Sequence, residues 1–268
     1  MNNEISAAID RNSNTMAQFV AILGPLTDCK PIIRRAVFIT RTRQVPSKVV
    51  SSVVSGINLI VNAGRPNIEI RDLRDWGINE APALPHQSLD WYQSQALLSL
   101  DHGFGRQIDT SKVLYAAMAE PWQETEPHFE AMIVDHDLNL QQSLPNGRLD
   151  YINFVFGSTL PNFGFIISPV RILNELNIKR HKVSRDFLLG LIRRLAAHEF
   201  GHVMGLLART HNTEHSLGLH CAGEKGPCLM RQGLSLEVWI RQHLEETQTK
   251  QELCPDCRDE LKEKAFKG

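Results

Sequence analysis

The sequence predicts a mixed α+β protein in which an upper α/β part is followed by a small, irregular lobe. Three observations lead to this fold class. Short β-favouring apolar runs alternate with helical patterns in the first half of the chain, in the order βαβαβ. A longer helical pattern follows at 184–205, and most of the cysteines lie in the last fifth of the 268 residues. Alternating strands and helices favour a twisted sheet covered by helices.

Turn residues and hydrophobic periodicity place the elements of the upper part. A β-favouring run at 36–40 is followed by Pro46 and Ser47, and then by apolar residues at helical spacing. Gly64 ends this helix, and the interval 75–90, rich in Pro, Asp and Asn, is predicted to be a loop. The further predicted elements are a strand at 68–70, helices at 91–100 and 111–119, a central strand at 129–134, and strands at 151–156 and 164–168.

The long helix has a predicted start and end. Ser184 is a suitable N-cap, and Asp186 in the first turn places a carboxylate where the helix dipole favours one. Gly205 occupies a position where helices commonly stop. Apolar side chains recur at helical spacing between these ends, and the same face continues through His198 and His202.

Composition and charge exclude several classes of function. The 29 Lys and Arg residues nearly cancel the 30 Asp and Glu residues, so no overall field favours nucleic acid or an anionic membrane surface. The N-terminus lacks the features of a secretory signal, and no stretch approaches the roughly 20 apolar residues of a membrane span. We therefore expect a cytoplasmic protein, in which residues 1–30 form an N-terminal appendage.

The segment His198-Glu199-Phe200-Gly201-His202 predicts a metal site near the end of the long helix. Residues four apart share one face of a helix, so both imidazoles point at one ion while the carboxylate of Glu199 stays free. Zinc is the metal that this pattern serves, with the glutamate as general base. Two histidines on an apolar face can instead be ordinary core residues, but the intervening glutamate and the following Gly205 favour the metal site.

Zinc in a hydrolase needs a third protein ligand and an open position for water. In one class of zinc proteases with this helix, a third histidine stands three positions after the glycine, but that position is Ala208 here. His211, His215 and His220 lie beyond it, and the first two stand among Thr, Asn and Glu, a sequence typical of a solvated loop. All three are candidates, although a tether to a second metal through Cys221 would place His220 most rigidly.

The four C-terminal cysteines predict a second, structural zinc site. Cys254 and Cys257 form a Cys-x-x-Cys turn, and Cys221 and Cys228 complete a closed tetrahedral set without an open position. In a reducing compartment such a quartet favours metal over disulfides, and Cys29 stands apart from it. Four buried free thiols are the plainer alternative. A zinc ribbon for nucleic acid is another, but acidic residues offset the nearby lysines: Glu245, Glu246, Asp256, Asp259 and Glu260.

These motifs together resemble the archaemetzincins, a family of metzincin-type zinc metallopeptidases. The family pattern is HExxHxxGxxH followed directly by a cysteine, then Cys-x-Met, then Cys-x-x-Cys. This chain departs from it by an inserted segment, 207–218, which is predicted to be a surface loop, and by a longer gap between Cys221 and Cys228. The resemblance applies to roughly residues 31–268 and also includes Asn153–Gly157, Ile167-Ser168 with Arg171, and Cys257–Leu261.

The resemblance implies a fold and a ligand set. The fold is metzincin-like, with a twisted mixed sheet and the active-site helix in an upper subdomain at 31–205 and a zinc-stabilised lower subdomain at 206–268. His220 becomes the third ligand of a catalytic zinc, so that each chain holds two zinc ions. Met230 packs beneath the histidines, and an extended substrate pairs with an edge strand, for which 164–168 is the candidate.

The predicted function is that of a zinc metallopeptidase acting on a peptide or protein substrate, without nucleic acid or membrane. Zinc acidifies a water and polarises the scissile carbonyl, and Glu199 takes the water's proton and passes it to the leaving amine. Two alternatives stay open: a catalytically silent zinc module that binds peptides or proteins through segment 207–218, and a zinc hydrolase for a non-peptide amide. A polar cluster, Asp135-His136-Asp137, is predicted to cap a turn.

Overall fold

A computed structural model describes most of the chain. The described residues are 34–64, 67–74, 89–97, 106–143, 149–206, 212–215 and 218–265. The predicted appendage, Cys29, His211 and most of the predicted loop 75–90 lie outside them. Within the described residues the chain is a mixed α+β protein, which confirms the predicted fold class.

The strands of the described residues form three sheets. They are β1 (Ala36–Arg41), β2 (Glu69–Arg74), β3 (Ile108–Asp109), β4 (Phe129–Ile133), β5 (Leu138–Ser143), β6 (Leu149–Val155), β7 (Gly157–Leu160), β8 (Gly164–Ile167), β9 (Asn212–His215) and β10 (Gly218–Cys221). The main sheet has the order β2-β1-β4-β8-β7, and the smaller ones are β3-β5-β6 and the hairpin β9-β10. In the main sheet β1, β2, β4 and β8 are parallel, whereas β7 runs antiparallel to β8. The main sheet is therefore mixed, with β4 at its centre as predicted.

Two long helices pack against each other and carry the main core. The helices are α1 (Ser47–Gly64), α2 (Leu89–Ala96), α3 (Thr110–Met118), α4 (Trp122–Thr125), α5 (Glu175–His181), α6 (Arg185–Val203), α7 (Leu236–Thr249) and α8 (Pro255–Ala265). A Cβ added to Gly56 of α1 would lie 2.2 Å from the carbonyl oxygen of Arg193 in α6, so the two backbones approach too closely for any side chain. None of the described helices is both long and apolar enough to cross a membrane.

Alternate side chains of the central strands face two different cores. Ala131 and Ile133 of β4 belong to a large core with α1 and α6, whereas Met132 of the same strand belongs to a second core with α2 and α3. The large core continues into the C-terminal region through Leu229, Trp239, Leu253 and Leu261. Since one core crosses the predicted boundary at 205, the division into 31–205 and 206–268 stays a prediction.

The edge strand of the main sheet differs from the sequence prediction. Segment 164–168 was the predicted edge, but β8 lies inside the sheet, between β4 and β7. The chain reverses through Asn162, which has a left-handed φ of 60°, and β7 then pairs antiparallel with β8. The sequence of β7, Gly-Ser-Thr-Leu, has little apolar alternation, so its strand conformation depends on pairing with β8 rather than on local propensity.

The ends of α6 match the sequence prediction. The hydroxyl oxygen of Ser184 accepts a hydrogen bond from the backbone N–H of Phe187 at 3.1 Å. At the other end Gly205 has φ 75°, and the N–H groups of Gly205 and Leu206 donate to the carbonyl oxygens of His202 and Gly201. This is the Schellman pattern, in which a glycine in the left-handed region ends a helix. It fixes the direction in which the chain leaves the His198–His202 face.

Candidate metal centres

The structure brings His198, His202 and His220 together. Each offers one ring nitrogen to a group whose ligand atoms all lie within 4.8 Å of one another. The Nε2 atoms of His202 and His220 are 3.3 Å apart. Two nitrogens at 2.0–2.1 Å from a tetrahedral zinc are separated by about 3.3–3.4 Å, so this pair fits the ion.

Hydrogen bonds orient the imidazoles on α6. The Nδ1 of His198 lies 2.7 Å from the carbonyl oxygen of Leu229, and the Nδ1 of His202 lies 3.2 Å from that of Leu206. A carbonyl only accepts, so Nδ1 carries the hydrogen in both rings and the Nε2 lone pairs are free for a metal. Burial and then the neighbouring His220 lower the pKa of His202 to about 3, which keeps this imidazole neutral.

The carboxylate of Glu199 lies beside the three histidines. Glu199 is buried, and its Oε2 accepts a hydrogen bond of 2.6 Å from the hydroxyl of Thr159 in β7. The same hydroxyl lies 3.1 Å from the backbone oxygen of Glu199. Burial raises the pKa of Glu199 to about 7, while the hydrogen bond from Thr159 lowers it. The group is thus held in one orientation and can exchange a proton near neutral pH.

Gly157 leaves the space that this carboxylate occupies. A Cβ added to Gly157 would lie 2.8 Å from Oε1 of Glu199 and 2.9 Å from its Cδ. Any side chain at this position would displace the carboxylate. Gly157 enters the sequence-based predictions only as the last residue of the segment Asn153–Gly157 in the family resemblance, and no pattern in the sequence identifies Thr159.

A β-hairpin delivers His220, which corrects the prediction that segment 207–218 is a surface loop. β9 and β10 pair antiparallel, with His220 opposite Thr213 and Cys221 opposite Asn212. Neighbouring residues of a strand point to opposite faces, so β10 presents His220 to the histidine cluster and Cys221 to the cysteine cluster. His215 ends β9, and the remainder of the segment lies outside the described residues.

The four clustered cysteines converge in the same way. Cys221, Cys228, Cys254 and Cys257 are all buried, and their sulfur atoms lie within 4.8 Å of one another. The Sγ atoms of Cys221 and Cys254 are 3.8 Å apart, far longer than a disulfide bond. Two sulfurs at 2.3 Å from a tetrahedral zinc are separated by about 3.8 Å, so the distance fits a shared ion.

The electrostatics of the cysteine cluster favour a cation. Hydrogen bonds from Cys228 and Cys257 lower the pKa of Cys221 to about 4. In turn, a hydrogen bond with Cys228 and then burial raise the pKa of Cys254. Four buried thiols this close cannot all ionise without a positive charge among them. A divalent cation would supply that charge.

The segment 228–231 connects the two clusters. Cys228 belongs to the cysteine cluster, and the carbonyl of Leu229 orients His198. The carbonyl of Met230 accepts a hydrogen bond of 3.0 Å from the N–H of Cys221. A Cβ added to Gly201 in α6 would lie 2.7 Å from the sulfur of Met230, so the methionine packs closely beneath this helix. Displacement of this segment would therefore disturb both clusters.

A buried ion pair holds α7 against the back of the histidine helix. Arg194 lies one turn before His198, and its Nε and Nη2 bind the carboxylate of Glu246 at 2.8 and 2.9 Å. Both side chains are almost fully buried, with 2% and 5% of their surface exposed. The guanidinium carbon also lies 4.3 Å from the ring centroid of Trp239, whose other contacts include the His198 ring at 5.4 Å. The sequence indicated none of these three residues as part of the site.

Replacement of Glu246 by alanine is expected to lower the free energy of unfolding by about 3–5 kcal/mol, because it leaves the buried Arg194 without a counter-charge. Chemical denaturation of the metal-loaded protein measures this. Glu126→Ala is the matched control, since the ion pair of Glu126 with Arg71 is exposed and worth about 1 kcal/mol or less. Equal effects of the two variants would contradict the role given to the buried pair.

A cleft of about 320 Å³ opens beside the histidines. Glu199, Thr159 and the three histidines line it, together with Gln232, Leu234 and Trp239. The lining residues from β5 and β6 are apolar: Leu140, Ile152, Phe154 and Val155.

The polar cluster predicted to cap a turn lies between β4 and β5. Asp135 accepts a hydrogen bond of 2.8 Å from the side-chain amide of Gln93 and lies 2.9 Å from Nδ1 of His136. Asp137 binds the guanidinium of Arg171 at 2.9 and 3.1 Å. These contacts stabilise the turn, and the pair formed by Asp137 and Arg171 also reaches the wall of the cleft.

The described residues combine a mixed sheet, a helix bearing two histidines and a buried cysteine quartet in one α+β fold. Among solved structures, the chain is similar to archaemetzincin from Methanopyrus kandleri, with a TM-score of 0.54 and 17% sequence identity. The match covers 88% of this chain and 97% of that chain. The protein therefore has the archaemetzincin fold, which confirms at the level of the fold the resemblance given by the motifs. No protein-family model matches the sequence, and no curated protein matches it.

Proposed function

We propose that the protein is a zinc-dependent metallopeptidase of the archaemetzincin family. The catalytic zinc is held by His198, His202 and His220, and a structural zinc by the four clustered cysteines. The observation that carries the proposal is the orientation of Glu199, whose carboxylate is fixed by Thr159 at the floor of an open cleft. A module that only binds peptides has no use for a buried carboxylate in this position.

The chain's own residues carry the proton transfers in the proposed reaction. When bound, zinc supplies an acidified water and polarises the scissile carbonyl. The carboxylate of Glu199 would take up a proton from the attacking water and release it to the leaving amine, and its pKa of about 7 suits both steps. Thr159 keeps the carboxylate oriented, while Gly157 leaves room for it.

Substrate binding is proposed to use the edge of the main sheet. β7 lies at that edge and carries Thr159, so an extended peptide that pairs with β7 would pass directly over Glu199. This places the substrate on β7 rather than on segment 164–168. A cytoplasmic location and a peptide or protein substrate complete the proposal.

The proposal is tested with the zinc-loaded protein and a library of peptides, with cleavage followed by mass spectrometry. We expect cleavage of internal or terminal peptide bonds that stops when zinc is removed and returns when it is restored. Peptide binding without any cleavage would support a silent binding module instead. Hydrolysis confined to small non-peptide amides would support the other alternative.

Replacement of His220 by alanine is expected to lower the zinc content from about two to about one ion per chain, because the cysteine cluster keeps its ligands. Elemental analysis of the purified variant measures this, together with the expected loss of cleavage. His211→Ala and His215→Ala are the controls, since both residues were alternative third ligands on sequence grounds. Loss of one zinc in either control, with zinc retained in His220→Ala, would reassign the ligand.

A further inference from the structure

The geometry points to Phe154 as the wall of an apolar subsite that selects a bulky apolar side chain of the substrate. The inference rests on the proposed function and names the class of peptide that the site accepts. Phe154 lines the cleft together with Glu199 and His198. Two features fix the position of the ring. One is the unusual backbone conformation of Phe154, and the other is its contact with Arg171, which is paired with Asp137.

The backbone of Phe154 departs from the strand that contains it. In the β5–β6 pair, Val155 stands opposite Leu138 and Asn153 stands opposite Asn139, so Phe154 is the extra residue of a β-bulge. Its φ is 66°, in the left-handed region that aromatic residues rarely adopt. A bulge redirects a side chain, and such bulges are common next to active sites. Glycine would adopt this conformation without strain, whereas Phe154 adopts it at a cost in conformational free energy.

A charged clamp fixes the ring. The guanidinium carbon of Arg171 lies 3.4 Å from the ring centroid of Phe154, within the range of a cation–π contact. Arg171 is itself held by two hydrogen bonds to the carboxylate of Asp137. The ring is therefore positioned from behind by residues of two turns, one after β4 and one after β8. Arg171 and Asp137 act as positioning residues for Phe154.

The cleft-lining residues near Phe154 determine which substrate side chains can bind beside its ring. The cleft-lining residues of β5 and β6 beside it are apolar: Leu140, Ile152 and Val155. Leu234, which also lines the cleft, leaves 60% of its surface exposed. These apolar groups would be desolvated by an aliphatic or aromatic side chain of the substrate. A charged side chain would lose its hydration there without a partner.

The test compares cleavage of peptides that differ at one residue beside the scissile bond, which is Phe, Leu, Ala, Lys or Glu. The key variant is Phe154→Gly, since it removes the ring and relieves the backbone. Lys182→Gly is the matched control, because Lys182 also has a left-handed φ, of 51°, but lies outside the cleft at the end of α5. Arg171→Lys keeps the positive charge but loses the bidentate hydrogen bonding to Asp137.

We expect the wild-type protein to prefer Phe or Leu over Ala by about tenfold or more in kcat/KM at one of the two substrate residues that flank the scissile bond. Phe154→Gly should reduce this preference to about twofold or less, by lowering kcat/KM for the Phe and Leu peptides. Arg171→Lys should raise KM for the Phe peptide with little change in kcat, and Lys182→Gly should keep the wild-type preference. A preference that Phe154→Gly does not alter, or a wild-type preference for Lys or Glu, would overturn the inference.

A binding measurement separates this inference from the proposed function. The zinc-loaded Glu199→Gln variant is titrated with the same peptides carrying a fluorescent label, with and without the additional change Phe154→Gly. A wild-type protein that cleaves nothing, together with tighter binding of the Phe peptide that depends on Phe154, would overturn the peptidase and support the subsite. Cleavage with equal binding of all peptides would support the peptidase and overturn the subsite.

Discussion

Replacement of Glu199 by glutamine is expected to reduce kcat by about 100- to 10,000-fold on a peptide that the wild-type protein cleaves. Glutamine keeps the size of the side chain and an oxygen that accepts the hydrogen bond from Thr159, but it cannot take up a proton. Because Glu199 is no ligand in the proposed site, the zinc content should stay at the wild-type value. Single-turnover kinetics and elemental analysis on the same preparation measure both quantities.

The control for this variant is Glu252→Gln, which removes a carboxylate near α6 but outside the cleft. Glu252 binds Arg193 on the protein surface and is 41% exposed. We expect its kcat to remain within about twofold of wild type, since exposed ion pairs contribute little. A Glu199→Gln variant that retains near wild-type turnover would assign the general base to another group.

Replacement of Cys257 by serine is expected to have the largest effect on stability. Cys257 is fully buried in the cysteine cluster, and a structural zinc that binds only the folded chain contributes its binding free energy to folding. We expect a loss on the order of 5 kcal/mol, which corresponds to a fall in Tm of roughly 10–20 °C. Differential scanning calorimetry of the purified variant measures it.

The same variant should also lose the catalytic zinc. β10 carries His220 and Cys221 side by side, and segment 228–231 links Cys228 to the carbonyl that orients His198. The zinc content of Cys257→Ser is therefore expected to approach zero, whereas His220→Ala keeps about one ion. Cys29→Ser, at the cysteine that stands apart from the other four in the sequence, should change neither Tm nor zinc content. A Cys257→Ser variant with unchanged Tm would show that the thiols pack without a metal.

Local regularities of the chain made much of the fold predictable. Both α1 and α6 have apolar side chains at helical spacing. For α6, Ser184 and Gly205 also mark the start and the end of the helix. β4 is apolar at every position except Glu130, as expected for a strand buried on both faces. By contrast, β7 forms through pairing with β8 and has no strong signal of its own. The edge of the sheet was therefore assigned to the wrong segment.

The sequence by itself determined which functional groups are available: two imidazoles and a carboxylate on one helix turn, and four thiols able to share an ion. The fixed 3.6-residue repeat of a helix is enough to place His198 and His202 on one face. Only the tertiary structure brings His220 to them, because its position depends on the register of the β9–β10 hairpin. The tertiary structure also revealed the ion pair Arg194–Glu246 and the position of the Phe154 ring, since contacts between distant segments produce no periodic pattern in the sequence.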